Sequence, residues 1–143
     1  EFSTEDSINI LNNINYNFEF IEGILNIESI KNYRLLKDSK HNLCLDINSK
    51  NLLDIDKIIK EKLLSFIAIK PKILGDERNT QTLAKECQKN NIKSYISSTF
   101  ETQIGFNKSI FLAKYLDDLY NEEIIHGFGT YNFLEKSLLE GIS

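Results

Sequence analysis

Residues 65–75 read SFIAIKPKILG, an apolar run that stops at Lys70 and is followed directly by proline. Pro71 has no N–H to give to a sheet ladder, so a buried strand must end by Lys70. If the strand alternates, Lys70 shares a face with Ala68 and Phe66. A lysine at the carboxyl end of a buried strand lies where α/β enzymes place reactive groups. On this stretch alone, the simpler interpretation is a lysine that reaches water from a strand end.

Short strands and helices alternate on both sides of this stretch. Apolar runs bounded by turn residues predict strands at 18–22, 42–46, 66–70, 93–98 and 123–127. Helical spacing predicts an N-terminal helix capped by Ser3 or Thr4, and further helices at about 27–38, 52–64, 80–90, 109–120 and 132–140. The resulting order, one helix and then five strand–helix units, predicts an α/β fold with a parallel sheet and helices outside it.

The composition limits the class of protein. A chain of 143 residues is the size of one domain, and 41% apolar with 27% charged residues is typical of soluble globular proteins. The net charge of −4, without a basic run, argues against nucleic acid as a partner. Cys44 and Cys87 form no CxxC pair, which argues against a zinc site and favours a reducing compartment. No apolar run approaches about 18 residues, so we expect no membrane partner.

Three predicted strands end on an ionisable residue, and 24 residues separate Glu22 from Asp46 and Asp46 from Lys70. One strand–helix unit needs about that length of chain, so the three residues are expected at the same level of successive strands. In a barrel the carboxyl ends of the strands converge on one mouth. Two carboxylates there would suit a hard divalent cation such as Mg²⁺. The lysine across from them could move a proton or stabilise negative charge.

Each of these residues also has an ordinary structural explanation. Glu22 could be a solvated strand end, and Asp46 could be a turn former or a helix cap. Equal spacing and matching strand ends favour a common site over three independent accidents. His41 and His126 are predicted not to be ligands, because neither has a partner at metal spacing. Cys44 is predicted to be a small buried residue rather than a nucleophile.

Two stretches carry a resemblance to a known family: KPKILG at 70–75 and ISSTFETQIG at 96–105. In this order they resemble the strand-six lysine motif and the strand-seven Ser-Ser-x-x-Glu loop of the o-succinylbenzoate synthase family, in the enolase superfamily. Ile21–Glu22 and Leu45–Asp46 are similar to the family's metal-ligand motifs on strands four and five. HGFGT at 126–130 is similar to its strand-eight turn.

The resemblance implies a partial (β/α)8 barrel in which residues 1–143 supply strands four to eight with their helices. It implies a carbon–oxygen lyase that dehydrates a hydroxycyclohexadiene carboxylate to o-succinylbenzoate, in menaquinone or phylloquinone biosynthesis, in the cytoplasm or the plastid stroma. Mg²⁺ is the implied cofactor, and the small-molecule carboxylate is the implied partner. The resemblance implies Glu22 and Asp46 as metal ligands. It implies Lys70 as the catalytic residue, whose ammonium is a cation over the face of the substrate ring. The implied substrate-binding residues are Ser97, Ser98 and Gly127.

The chain departs from the family pattern in several places. At Gly23 and Ile24 the family has an acidic or amide residue and a proline, and at Ile47 it has glutamate. Residues 1–143 show no counterpart of the family's capping domain and first three strands, which carry its Lys-x-Lys acid/base pair and strand-three metal ligand. Strands four to eight alone would leave two sheet edges and an apolar interior uncovered. We therefore expect the chain to be inactive without an N-terminal half, on the same or a separate polypeptide.

Two other interpretations stay open. An epimerase or racemase of the same superfamily would use the same lysine geometry, although the acid-rich strand-eight motif of dipeptide epimerases is missing from 126–133. A non-catalytic remnant or assembly subunit would explain the altered residues beside the implied ligands. That interpretation predicts that Glu22 and Asp46 bind no metal and that replacing Lys70 changes nothing.

Overall fold

A four-stranded parallel sheet forms the centre of the protein, with its strands in the order β1-β2-β3-β4. The computed structural model describes residues 3–24, 30–49 and 52–130. The strands are β1 (Ile21–Glu22), β2 (Leu43–Asp46), β3 (Phe66–Ile69) and β4 (Lys93–Ile96). The helices are α1 (Thr4–Asn13), α2 (Ile30–Leu35), α3 (Ile55–Lys60, preceded by a 3-10 turn at Leu52–Asp54), α4 (Pro71–Leu74), α5 (Glu77–Lys89) and α6 (Gln103–Tyr120). Helices alternate with parallel strands, which confirms the predicted α/β fold.

One face of the sheet is apolar and is covered by helices; we call it the outer face. Every second residue of β2 and β3 enters this core, so that Leu45, Ile67 and Ile69 have no exposed surface. The long helices α5 and α6 bury residues three and four positions apart, which is the spacing of a single helix face. The outer face therefore holds most of the hydrophobic core of the described residues.

The opposite face, which we call the inner face, carries small, aromatic and ionisable side chains. Cys44, Ala68 and Tyr95 form a second buried cluster on it, and Phe20 and Phe66 pack against that cluster. Alternation along the strands places three ionisable residues on the same face, beside this cluster: Glu22, Asp46 and Lys70. Two contacts agree with this placement: Lys70 pairs with Asp46, and Tyr95 of the buried cluster bonds to Glu22.

Several predicted elements differ at their ends. α5 begins at Glu77 because the side chain of Asp76 accepts a hydrogen bond from the Arg78 N–H, and α6 begins at Gln103 after a Thr102 cap. α3 is shorter than predicted, and Lys62, two residues after its end, has a left-handed backbone (φ +52°). The predicted helix at 132–140, and residues 25–29 of the chain before α2, lie outside the described residues.

The fifth predicted strand, at 123–127, is reduced to one bridge. Gly127 pairs with Ser97 in parallel, and its N–H donates to the Ile96 carbonyl. The Ile96 N–H donates instead to Nδ1 of the His126 side chain at 2.9 Å. Because a side chain takes that N–H, the regular backbone ladder does not extend to residues 123–126. Among the described helices, none combines the length and the apolar character required to cross a membrane.

Candidate active site

Lys70 and Asp46 form an ion pair at the carboxyl edge of the inner face. The Lys70 Nζ lies 2.5 Å from Asp46 Oδ1 and 2.6 Å from Oδ2. The lysine side chain keeps 17% of its surface exposed and the aspartate side chain 34%. Partial burial makes a charge-assisted contact of this kind stronger than a fully solvated pair. The ammonium therefore has a defined position at the end of the sheet.

The local sequence explains why Lys70 lies there. β3 ends at Ile69, and Pro71 begins α4 at a position where a missing N–H costs nothing. Lys70 between them is extended, with φ −107° and ψ 99°, as expected for a residue before proline. Its side chain leaves the strand on the inner face, next to β2. The sequence predicted the end of the strand and the extended lysine but not the short helix that follows.

Glu22 lies on the same face at the end of β1, and a tyrosine holds its carboxylate. The Tyr95 hydroxyl donates a hydrogen bond to Glu22 Oε2 at 2.7 Å. Burial, together with the bond to Glu22, raises the pKa of the Tyr95 phenol, so it remains a protonated donor. The Cys44 thiol contacts the same phenol oxygen at 3.7 Å. Sequence analysis missed Tyr95, although alternation from Ser97 places it on the inner face.

Strand pairing corrects one geometric expectation. Glu22 pairs with Cys44 rather than Asp46, and Asp46 pairs with Ala68 rather than Lys70. Each ionisable residue is therefore two positions further along its strand than the previous one, and the three are not level with each other. β1 ends at Glu22 and β2 at Asp46 as predicted, whereas β3 ends at Ile69, one residue before Lys70. The spacing of 24 residues does not report the pairing register.

The three residues implied for substrate binding have mostly structural contacts. The Ser98 side chain is buried, and its Oγ donates to the Gly127 carbonyl at 3.1 Å and shares a 2.6 Å hydrogen bond with Thr130 Oγ1. The Gly127 N–H and carbonyl both bond to the β4 region. Ser97 gives its N–H to the Ile69 carbonyl, and alternation places its side chain on the inner face. Of the three, Ser97 has the placement best suited to contact a ligand.

His126 is fixed on the edge of β4 by two partners. Its Nδ1 accepts the Ile96 N–H, and its Nε2 lies 3.3 Å from Asp117 Oδ1. Burial lowers the pKa of His126, against the attraction of Asp117. The pKa of Asp117 is lowered as well: burial opposes this, but hydrogen bonds from the Ile124 N–H and His126 outweigh it. This arrangement is structural, and the nine-residue separation of His126 and Asp117 gave no signal of it in the sequence.

Cys44 is part of the inner face without being a reactive group. Its thiol is buried, and burial raises its pKa to about 12. A thiol with such a pKa carries almost no thiolate at neutral pH, and thiolate is the nucleophilic form. The interpretation of Cys44 as a small buried residue is therefore favoured.

A cavity of about 520 Å³ lies between the starts of α5 and α6. Its lining includes Pro71, Phe100 and Glu101, whereas Glu22, Asp46 and Lys70 do not line it. Glu101 is buried and accepts a hydrogen bond from Ser109 Oγ at 3.2 Å. The cavity is also lined by ionisable residues, among them Lys72, Asp76 and Glu77. The candidate site is nevertheless the open inner face, because the Lys70–Asp46 ion pair lies there.

The donor chemistry fits part of a Mg²⁺ site. Glu22 and Asp46 lie on neighbouring strands and are diagonal neighbours on the inner face. Both side chains leave the same face of the sheet, which suits two ligands of one cation. Carboxylate oxygens are the donors that Mg²⁺ prefers. However, the part of the chain that the structure describes contains no group of three or more His, Cys, Asp and Glu side chains that could hold a metal ion. The pair supplies two ligands, and a complete site needs further oxygens.

Solved structures share this fold. MenC from Desulfotalea psychrophila LSv54 is 18% identical, with a TM-score of 0.78 over 96% of this chain and 38% of that chain. A dipeptide epimerase from Enterococcus faecalis V583 is 15% identical, with a TM-score of 0.79 over 96% of this chain and 40% of that one. A mandelate racemase/muconate lactonizing protein from Herpetosiphon aurantiacus is 17% identical, with a TM-score of 0.72 over 94% and 38%.

These three are enolase-superfamily structures. The chain has the fold of the C-terminal part of their barrel. It spans about two fifths of the length of the structures it matches. Neither a protein-family model nor a curated protein matches the sequence. At these identities the comparison establishes the fold. The matched structures include a MenC and a dipeptide epimerase, so the comparison does not decide between a lyase and an epimerase.

Proposed function

We propose that this chain supplies strands four to eight of an enolase-superfamily enzyme, and that the complete barrel is a Mg²⁺-dependent dehydratase of the o-succinylbenzoate synthase type. The observation that carries the proposal is the ion pair between Lys70 and Asp46 at the carboxyl edge of the inner face. The motif order of the sequence and the likeness to a MenC structure support it.

Glu22 and Asp46 would bind the metal together with ligands from outside this pair. Bound Mg²⁺ would hold the substrate carboxylate and stabilise the negative charge that develops when a neighbouring carbon loses its proton. Glu22 lies at the exposed end of β1, and Asp46 is partly buried at the end of β2. Both carboxylates are therefore at the open edge of the inner face, where a small carboxylate substrate has access.

Lys70 would supply a fixed positive charge beside the substrate ring. Asp46 holds its ammonium through both carboxylate oxygens, so the ammonium is already in a defined position before a substrate binds. A preorganised charge that faces developing negative charge lowers the activation barrier more than a mobile one. Asp46 would thus hold the Lys70 ammonium and also contribute to binding the cation.

We also propose that activity needs the remaining barrel strands. The inner face leaves its site residues and the aromatic pair Phe20 and Phe66 only partly buried, with the two ring centroids 4.7 Å apart. An eight-stranded barrel of this type fills its interior with side chains from all strands. The acid/base lysines that the resemblance implies would come from those remaining strands. Substrate turnover by the purified 143-residue chain alone would refute this requirement.

An epimerase is the second candidate, favoured by the likeness to a dipeptide epimerase with a TM-score of 0.79. A lysine at the end of β3 could also exchange a proton at a substrate carbon. We favour the dehydratase because 126–133 lacks the acid-rich motif expected of dipeptide epimerases. A non-catalytic role is the third candidate, supported by the unusual neighbours Gly23 and Ile47.

One assay separates the three candidates. The protein, completed by the region that supplies strands one to three, is given either the hydroxycyclohexadiene carboxylate or a dipeptide, with Mg²⁺. We expect o-succinylbenzoate to form, and the rate to fall by about 100-fold or more in Lys70→Met. The matched control is Lys72→Met, an exposed lysine two residues away, which should keep the rate. Dipeptide epimerisation would favour the second candidate, and no turnover of either substrate would favour the third.

A further inference from the structure

Tyr95 links β4 and β1, which lie at opposite sides of the four-stranded sheet. It is 6% exposed on β4, and its hydroxyl reaches Glu22 on β1, with β2 and β3 between them. The two residues are 73 positions apart in the chain. A single side chain therefore links the fourth strand of the sheet to the first across its inner face.

Small residues leave room for this side chain. Ala68, which pairs with Tyr95 on β3, and Cys44 on β2 pack against it, and both are buried. Phe20 stacks on the Tyr95 ring, with centroids 5.4 Å apart and planes inclined by 29°. A larger side chain at position 44 or 68 would occupy the space that the phenol crosses. The arrangement thus depends on four residues from four consecutive segments of the sheet.

The strand that carries Glu22 gives its carboxylate little positional constraint. β1 has two residues, its one partner among the described strands is β2, and Glu22 is exposed. β4 pairs with β3 over four residues, and Tyr95 and Ile96 are buried. A hydrogen bond of 2.7 Å to a carboxylate is charge-assisted and directional. It therefore ties a carboxylate at the edge of the sheet to the longer and more buried strand β4.

We infer that Tyr95 is a positioning residue that orients the Glu22 carboxylate for a divalent cation by holding Oε2, which leaves Oε1 to bind the cation. The inference rests on the proposed function, since it takes Glu22 to be a cation ligand. Groups that orient a ligand without touching the metal typically change metal affinity by about 10- to 100-fold when they are removed.

The experiment compares Tyr95→Phe with Tyr120→Phe in the protein completed by the region that supplies strands one to three. Tyr120 is a matched control: its hydroxyl bonds to Ser94 Oγ at 3.0 Å and to the Ile92 carbonyl at 3.0 Å, on the outer side of β4. Affinity for Mg²⁺ is measured by titration calorimetry. We expect Tyr95→Phe to weaken binding about 10-fold or more, and Tyr120→Phe to leave it within about twofold of the wild type.

A double-mutant cycle with Glu22→Gln identifies the path of the effect. If Tyr95 acts through Glu22, then Tyr95→Phe should weaken Mg²⁺ binding no further once Glu22 is replaced. Wild-type binding that is unchanged in Tyr95→Phe would overturn the inference and leave the proposed function intact. Equal weakening in both tyrosine variants would also overturn it, since it would indicate a loss of general rigidity. No Mg²⁺ binding by the wild type, with or without the remaining barrel strands, would overturn the proposed metal role and this inference together.

Discussion

The outer and inner faces of the sheet belong to the same strands but are built from different residues. On the outer face Leu45, Ile67 and Ile69 are fully buried under helices. On the inner face small side chains such as Ala68 lie between ionisable residues and aromatic rings. Because side chains alternate along a strand, one short stretch such as residues 66–70 serves both faces.

The comparison indicates how stability and chemistry are divided. Apolar burial on the outer face provides most of the free energy that holds the strands together. The inner face contributes less apolar burial, since its site residues keep part of their surface exposed. Substitutions on the two faces should therefore differ in kind: outer ones should unfold the protein, and inner ones should remove binding or catalysis while the fold remains.

The largest effect on stability is expected from Ile67→Ala on the outer face. Ile67 has no exposed surface, so the substitution removes buried methyl groups and leaves a cavity. We expect the free energy of unfolding to fall by about 3 kcal/mol. Urea denaturation measures it, with Ile67→Val as the control, which should cost about 1 kcal/mol. A loss in Ile67→Ala no larger than in the valine variant would contradict a tightly packed outer face.

A smaller loss of stability is expected from Lys70→Met on the inner face. The substitution leaves the partly buried Asp46 carboxylate without its ammonium partner. We expect the free energy of unfolding to fall by about 1–2 kcal/mol. The same denaturation experiment on Lys72→Met should give no comparable loss, because Lys72 is exposed. A Lys70→Met protein as stable as the wild type would indicate that the ion pair does not persist in solution.

Low pH should decrease the free energy of unfolding through protonation of His126. Burial lowers the pKa of this histidine in the folded state, whereas in the unfolded chain it takes up a proton below about pH 6.5. Between these two pKa values the unfolded state binds more protons, so stability falls as the pH falls below about 6.5. Thermal melts at pH 7.5 and 5.5 should reveal this fall, and His126→Gln should reduce it. An identical pH dependence in the variant would assign the effect to other groups.

The smallest effect is expected at the surface. Arg34 and Glu61 form a bidentate pair, with distances of 2.6 and 2.7 Å. Both side chains are well exposed, so solvent screens their attraction. Arg34→Met should leave the denaturation midpoint unchanged within error. A clear loss would mean that short distance, rather than burial, determines the strength of ion pairs in this protein.

Much of the fold and part of the site could be predicted from local signals. The apolar run before Lys70 and the proline after it fixed the end of β3, because those signals act within a few residues. Alternation then assigned Ala68 and Lys70 to one face and Ile67 and Ile69 to the other. The parallel order followed from the alternation of strands with helices.

The rest depends on contacts that are distant in the chain. The bond between Tyr95 and Glu22 joins residues on β4 and β1, and it exists only because small residues lie between them. The side-chain hydrogen bond of His126 to the Ile96 N–H, which reduces the fifth strand to a bridge, is likewise tertiary. Neither periodicity nor spacing reports such contacts, since both describe one segment at a time.

The most direct test is a crystal structure of the protein soaked with Mn²⁺, with an anomalous difference map to locate the ion. The account predicts a peak on the inner face at the carboxyl edge of the sheet, within bonding distance of both Glu22 and Asp46, with the Lys70 ammonium beside it. A peak elsewhere with this edge empty, or Glu22 and Asp46 carboxylates directed to different sides of the sheet, would contradict the account.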